Sequence, residues 1–346
     1  MSWNKKTIAL TWGWTWGHII PLLSIYNYLR EEDNYNFLWV GEETGLEADI
    51  AEANNIDFHD IAAGKIRRYF DWRNFYEPLK NLTGFFQWLY YIWKYKIDIV
   101  FSKWGYVSMP LAIAAKVMRK NIYIHESDIK MWLANKVVAK VATKVFTAFP
   151  SEWKKNIITG QIMNPELLEW LDNLKLEENK KLKVLVIAWS QGSTIIFENL
   201  LKIIPDLTNI EFEIILWEKN GHFKEKLNVF NNTIIHDFLN QKTLWKIYKQ
   251  TDIAITRGSA TVLAELYYFG IHSIIIPITN VWNHQIYNAK YYKEKIWSDI
   301  LDENKNLSLE IFRKLKKYQN LRKKDLNLEW FFDAMKIIEK EIKNIN

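Results

Sequence analysis

The chain has 346 residues, 49% of them hydrophobic, enough for two domains with a core each. It has no cysteine, which excludes disulfides, thiolate metal sites and a cysteine nucleophile. The net charge of +6 is spread along the chain and suits anionic partners, while no basic block or aromatic RNA-binding motif argues for nucleic acid.

From the N-terminus, strand-like and helix-like segments alternate, the pattern of a parallel sheet covered by helices. Residues 6–11 read as a strand and 18–30 as a helix with apolar Ile19, Leu22, Leu23, Tyr26 and Leu29 on it. Further strands are expected at 36–40, 56–61, 97–102, 121–125 and 144–148, with helices at 77–95, 106–118 and 133–142. The Glu- and Lys-rich stretch 174–183 breaks the pattern and reads as a linker. The alternation then restarts: strand 183–188, helix 192–203, strand 212–216, strand 253–256, helix 259–269, strand 273–277 and helix 284–293. Two strand–loop–helix openings, at Ile8 and Val184, predict two doubly wound domains with ligand in the cleft at the carboxyl ends of the strands. An amphipathic helix over 328–345 is expected to pack back on the first domain. The densest apolar run, 85–93, is far short of the about 20 residues a spanning helix needs. The expectation is a cytoplasmic protein with peripheral membrane contact and no signal peptide.

Trp occurs 18 times and Gly only 12 times, where an average chain of this length carries about 24 glycines. The tryptophans stand where glycine is needed. Thr11-Trp-Gly-Trp-Thr-Trp-Gly-His18 joins a strand to a helix, as does Ala188-Trp-Ser-Gln-Gly-Ser193. Such loops aim backbone N–H groups and the positive end of a helix at an anion. They demand glycine, because backbone must approach ligand closely and some residues take positive φ. Trp12, Trp14, Trp16 and Trp189 make poor phosphate cradles. Lys103-Trp-Gly-Tyr106 and Val281-Trp-Asn-His-Gln285 repeat the conflict after two more strands.

With glycine in place of those tryptophans, six segments in register resemble the MurG family of glycosyltransferases over nearly the whole chain. They are 12–18; 104–108; 125–128 with 133–136; 190–192; 257–260 with Glu265; and 283–285 with Asn288 and Ala289. The resemblance implies an α/β fold of the GT-B type, two Rossmann-like domains facing a central cleft. Residues 1–163 would hold a lipid-linked acceptor at the membrane, 164–326 the UDP-sugar, and 327–346 the returning helix. It implies inverting transfer of N-acetylglucosamine from UDP-N-acetylglucosamine to the C4 hydroxyl of lipid I, undecaprenyl-pyrophosphoryl-N-acetylmuramyl-pentapeptide, in peptidoglycan synthesis. It also implies that most of the tryptophans are glycines in the natural protein. Some bacterial lineages read UGA as glycine and another common code reads it as tryptophan, so the wrong table puts Trp at Gly sites throughout.

The resemblance implies roles residue by residue. Thr15, Trp16 and Gly17 would bind substrate in the first loop, and His18 would be the base that takes the acceptor proton. The positive end of its helix keeps an imidazole neutral. Glu126 is a second candidate for the base, and Asp128 a substrate contact. Ser190, Ala260 and Thr261 would hold the diphosphate, the backbone of Leu239 the uracil, Glu265 the ribose hydroxyls, and His284 and Gln285 the sugar, with Asn288 in support. Asn164 stands where the family usually has a diphosphate-binding Arg, and Val262 where it commonly has Thr. No Asp, Glu or His cluster has metal-ligand spacing, and neither metal nor cofactor is expected. The basic and aromatic stretch from Gly64 through Lys96 suits an anionic phospholipid surface. A GT-B enzyme with another lipid acceptor, a dinucleotide-binding oxidoreductase using Glu42 or Glu43, and a non-catalytic binding protein with genuine tryptophans are the alternatives.

Overall fold

The computed structural model describes residues 5–11, 16–41, 46–64, 72, 77–103, 108–150, 153, 156–163, 181–188, 194–237, 239–279, 284–295, 298–321 and 333–345. The chain divides into two compact units, Met1–Pro165 with Trp330–Asn346, and Glu166–Glu329.

The first unit is built on seven parallel strands: β1 (Lys6–Thr11), β2 (Tyr35–Gly41), β3 (Phe58–Asp60), β4 (Ile97–Ser102), β5 (Asn121–Glu126), β6 (Lys144–Thr147) and β7 (Asn156–Ile158). Their order is β3-β2-β1-β4-β5-β6-β7. Helices α1 (Trp16–Arg30), α2 (Leu46–Ala53), α3 (Glu77–Lys94), α4 (Ser108–Val117) and α5 (Leu133–Ala139) connect them. Strands buried on both faces carry unbroken apolar runs, as Ile8, Ala9 and Leu10 do at no exposure. The two-residue period sends Ile8 and Leu10 to one core with Ile19, Leu22 and Phe101, and Ala9 to the opposite core with Val40, Val100 and Trp88.

The second unit repeats the plan. Strands β8 (Leu182–Ile187), β9 (Ile210–Ile215), β10 (Thr233–His236), β11 (Ile253–Thr256), β12 (His272–Ile275) and β13 (Ser298–Ile300) form a parallel sheet of order β10-β9-β8-β11-β12-β13. The α-helices of this unit are α6 (Thr194–Leu200), α7 (Lys224–Asn228), α8 (Gln241–Gln250), α9 (Ala260–Tyr268), α10 (His284–Lys295) and α11 (Leu307–Lys317). The last helix, α12 (Ala334–Lys343), returns to the first unit. Its Met335, Ile338 and Ile342 join the core of Leu10 and Ile19. Lys343 bridges Glu32, Tyr28 donates to Glu339, and Lys144 pairs with Glu341.

Some elements escape the sequence pattern. α2, β7, α7, β10, α8, β13 and α11 carry no expectation, and the strand expected over 56–61 shrinks to three residues. The short edge strands β7, β10 and β13 bury one margin only, so their apolar signal is weak. α8 and α11 are amphipathic, but each offers only about three turns of period. Among the described tryptophans, Trp39 on β2, Trp88 on α3 and Trp245 on α8 are fully buried, and the Trp88 indole N–H has no hydrogen-bond partner.

Candidate functional site

In each sheet the strand order reverses once, and a reversal of that kind opens a crevice at the carboxyl ends of the strands. Such a crevice at the carboxyl ends is where open α/β sheets bind ligands. In the first unit it falls between β1 and β4, in the second between β8 and β11. The loops there are the two that begin after Thr11 and Ala188, together with those after Ser102 and Thr256. Thr15, Asn164 and Ser190 lie outside the described residues. So do the side chains of Trp16, Gly17 and His18, whose backbone forms the first turn of α1.

Beside the first switch point lies a buried polar cluster. Lys103 follows β4, and its N–H donates to the Thr11 carbonyl at the end of β1 (3.2 Å). Its side chain is 1% exposed. The ammonium donates to Ser127 Oγ (2.7 Å) and to His125 Nδ1 (3.3 Å). His125 Nε2 sits 3.1 Å from the Gly160 carbonyl and 3.2 Å from Thr159 Oγ1. Burial and the adjacent ammonium hold the imidazole pKa well below its usual value, so the ring is neutral, accepting at Nδ1 and donating from Nε2. Gly160 takes φ 75°, a conformation that favours glycine.

Glu126 ends β5 and is also buried. Its Oε1 accepts from the Asp128 N–H (3.0 Å), and its Oε2 from the Trp132 N–H (3.1 Å) and Asn135 Nδ2 (2.9 Å). Burial, then the charge of Asp128, push its pKa up to about 7 against these donors. The carboxylate therefore organises the turn that carries Asp128. Asp128 in turn accepts from the Trp132 indole N–H.

In the second unit, Ala260 and Thr261 open α9. Val262, at the position expected to favour Thr, is packed into the interior. Leu239 is half-buried ahead of α8, whose start is capped by Asn240 accepting from the Thr243 N–H (2.8 Å). Glu265, on α9, is 8% exposed. It accepts from Trp245 Nε1 (3.3 Å) and the Tyr248 hydroxyl (3.1 Å), and burial raises its pKa to about 7. His284 and Gln285 open α10, both half-buried. Gln285 Oε1 accepts from the N–H groups of Gly258 and Ile278, each at 3.1 Å, and Asn288 Nδ2 donates to the Gly258 carbonyl (3.0 Å). A Cβ on Gly258 would lie 2.4 Å from the Gln285 carbonyl oxygen, so only glycine fits there. Arg257 turns away from this junction to pair with Glu303 (2.7 Å) and the Ile276 carbonyl.

The structure thus gathers Gln285 and Asn288 around Gly258 and Ile278 past the ends of β11 and β12, sets Ala260 and Thr261 at the start of α9, holds Glu265 against α8, and joins Glu126 with Asp128 at the end of β5. Lys103, Ser127 and Gln161 around the last pair, and Trp245 and Tyr248 around Glu265, are additions to the expected set. A lysine ending the apolar run 97–102 is the one sequence signal for them, since such a side chain must bury its charge or leave the sheet. Among the described residues no group of His, Asp or Glu could hold a metal ion, and no helix is long and apolar enough to cross a membrane.

Residues 8–147 match the glycosyltransferase family 28 N-terminal domain and residues 183–330 its C-terminal domain. A Clostridium kluyveri relative is 32% identical over 323 residues, covering 90% of this chain and 91% of its own. One from Clostridium botulinum is 34% identical over 322 residues, covering 90% of each. Both are named UDP-N-acetylglucosamine–N-acetylmuramyl-(pentapeptide) pyrophosphoryl-undecaprenol N-acetylglucosamine transferase. The Acinetobacter baumannii MurG crystal structure shares the fold with a TM-score of 0.74 at 19% identity, over 98% of this chain and 100% of that one. Together with the two parallel sheets, these matches establish a GT-B fold and place the chain in glycosyltransferase family 28, as a member of the MurG family.

Proposed function

We propose that the chain transfers N-acetylglucosamine from UDP-N-acetylglucosamine to the C4 hydroxyl of lipid I, with inversion, to form lipid II. The observation that carries this reading is the similarity, at 32–34% identity over 90% of the chain, to relatives named for that transfer. The acceptor oxygen attacks the anomeric carbon, the bond to the UDP oxygen breaks, and a base receives the hydroxyl proton. His18 in the first turn of α1 is that base, a histidine at a place where the positive end of a helix disfavours imidazolium. On the donor side Ser190 and the turn at Ala260 and Thr261 take the diphosphate, Glu265 the ribose, the Leu239 backbone the uracil, and His284 and Gln285 the sugar. Glu126 and Asp128 shape the acceptor side. Radiolabelled UDP-N-acetylglucosamine with lipid I is the direct test. A labelled disaccharide lipid is the expected product, and transfer to a diacylglycerol instead would overturn the assignment.

The acceptor's lipid tail requires a membrane surface, and α3 has the means to reach one. Leu79, Leu82, Phe86, Tyr90 and Trp93 are each half or more exposed and recur at helical spacing on one face, while Trp88, Tyr91 and Ile92 are buried on the other. Lys80, Lys94 and Lys96 are exposed beside the stripe. Apolar side chains flanked by lysines suit the headgroup region of an acidic bilayer. The double substitution Leu79→Glu with Phe86→Glu is expected to weaken partition onto phosphatidylglycerol vesicles at least tenfold, roughly the loss of one buried side chain. Equal sedimentation of variant and parent would remove α3 from the membrane.

A further inference from the structure

We propose that Lys103 is a positioning residue for acceptor transfer: its buried ammonium, shared between His125 and Ser127, clamps the carboxyl ends of β1, β4 and β5 to the 159–161 segment and so fixes the turn that presents Asp128. The proposal rests on the reading that this face of the first unit holds the acceptor.

The clamp is continuous. The Lys103 N–H holds the β1 end through Thr11, and its Nζ holds Ser127 and His125. His125 reaches Thr159 and Gly160. Gln161 Nε2 closes the ring by donating to the Ser127 carbonyl (2.8 Å). Lys103, His125, Ser127, Thr159 and Gln161 are all nine-tenths or more buried. A hydrophobic side chain would fill the same volume without desolvating a charge, so a buried ammonium with no task would be a net cost. Burial pushes the Lys103 pKa down to about 7, while Glu126 and Asp128 act to hold its proton. The two acids of the turn thus attract the cation, while Glu126 ties the turn's own N–H groups. Removing the cation releases Ser127 and His125 together, while the bonds of the Asp128 turn to Glu126, Gln161 and the Trp132 indole stay in place.

The test uses Lys103→Met, similar in length and free of charge, with Ser127→Ala and the double variant, in the full chain. Backbone hydrogen exchange is read at Asp128 and Trp132, and steady-state kinetics are read against each substrate. The expected result is faster exchange at both amides, an acceptor KM raised by about tenfold, and a donor KM within about twofold. The double variant should be no worse than Lys103→Met, because both substitutions cut one clamp. Unchanged exchange at Asp128 and Trp132 would overturn the proposal. So would equal rises in both KM values, or additive effects in the double variant. Faster exchange in a chain that never accepts lipid I, before or after substitution, would fault the acceptor reading and leave the clamp as a structural device.

Discussion

A chain carrying glycine at positions 12, 14, 16, 104, 189 and 282 is expected to transfer N-acetylglucosamine at least about a thousandfold faster than the chain with tryptophan there. That factor is about 4 kcal/mol of transition-state stabilisation, the scale on which loop amides and helix termini act on a departing diphosphate. The loop of 12, 14 and 16 leaves β1, that of 104 leaves β4 and that of 189 leaves β8, all strands beside a switch point. Backbone must touch ligand in such loops, and an indole fills about the volume the ligand needs. Two described tryptophans point the same way. Trp132 spends its indole N–H on Asp128 and Trp245 spends its own on Glu265, so two of the carboxylates assigned to substrate are already occupied. Glycine at 132 and 245 would remove those two donors, with Tyr248 still on Glu265. The glycine-bearing chain is to be compared with the tryptophan chain in the lipid I assay, alongside the codons of the gene. UGG at 12, 14, 16 and 189, or equal turnover by the two chains, would show the tryptophans to be genuine.

The sequence revealed the architecture well and the site unevenly, for physical reasons. Central strands such as β1, β4, β8 and β11 are buried on both faces, so their apolar runs stand out, and a glycine loop after each marks a switch point even with tryptophan written into it. Edge strands and three-turn helices lack that contrast. Motif residues could be assigned a role one at a time, but not their neighbours across the sheet. Glu126 looks like a base in the sequence, whereas its environment in the structure is three donors from its own turn. Lys103 and His125 are 22 residues apart, and only the pairing of β4 with β5 brings them together. The same holds for Trp245 and Glu265, which lie 20 residues apart and meet only where side chains of α8 and α9 come together. Burial also decides protonation, and burial is a tertiary property that spacing cannot encode.

Glu265→Gln is expected to stabilise the chain at pH 8 and weaken UDP binding, two effects of opposite sign from one carboxylate. In the folded chain burial raises the Glu265 pKa from 4.5 to about 7. The folded state therefore holds the proton more tightly than the unfolded state does. The stability attached to that proton is fully present below pH 4.5 and is lost as pH rises through about 7. The interval between those two values corresponds to about 3 kcal/mol at most. Glutamine does not titrate, keeps the shape, and can still accept from Trp245 or Tyr248. The variant should melt higher than the parent at pH 8, and the gap should shrink toward zero by pH 4.5. Against UDP the variant loses a charged acceptor for two ribose hydroxyls, worth about 1.5–3 kcal/mol, or roughly ten- to a hundredfold in Kd by calorimetry. A structural glutamate would show the first effect without the second. A variant that melts lower than the parent at pH 8 and binds UDP equally well would remove Glu265 from the donor site. A carboxylate kept at a cost in stability, where an amide would fit, is what a binding site retains and a core discards.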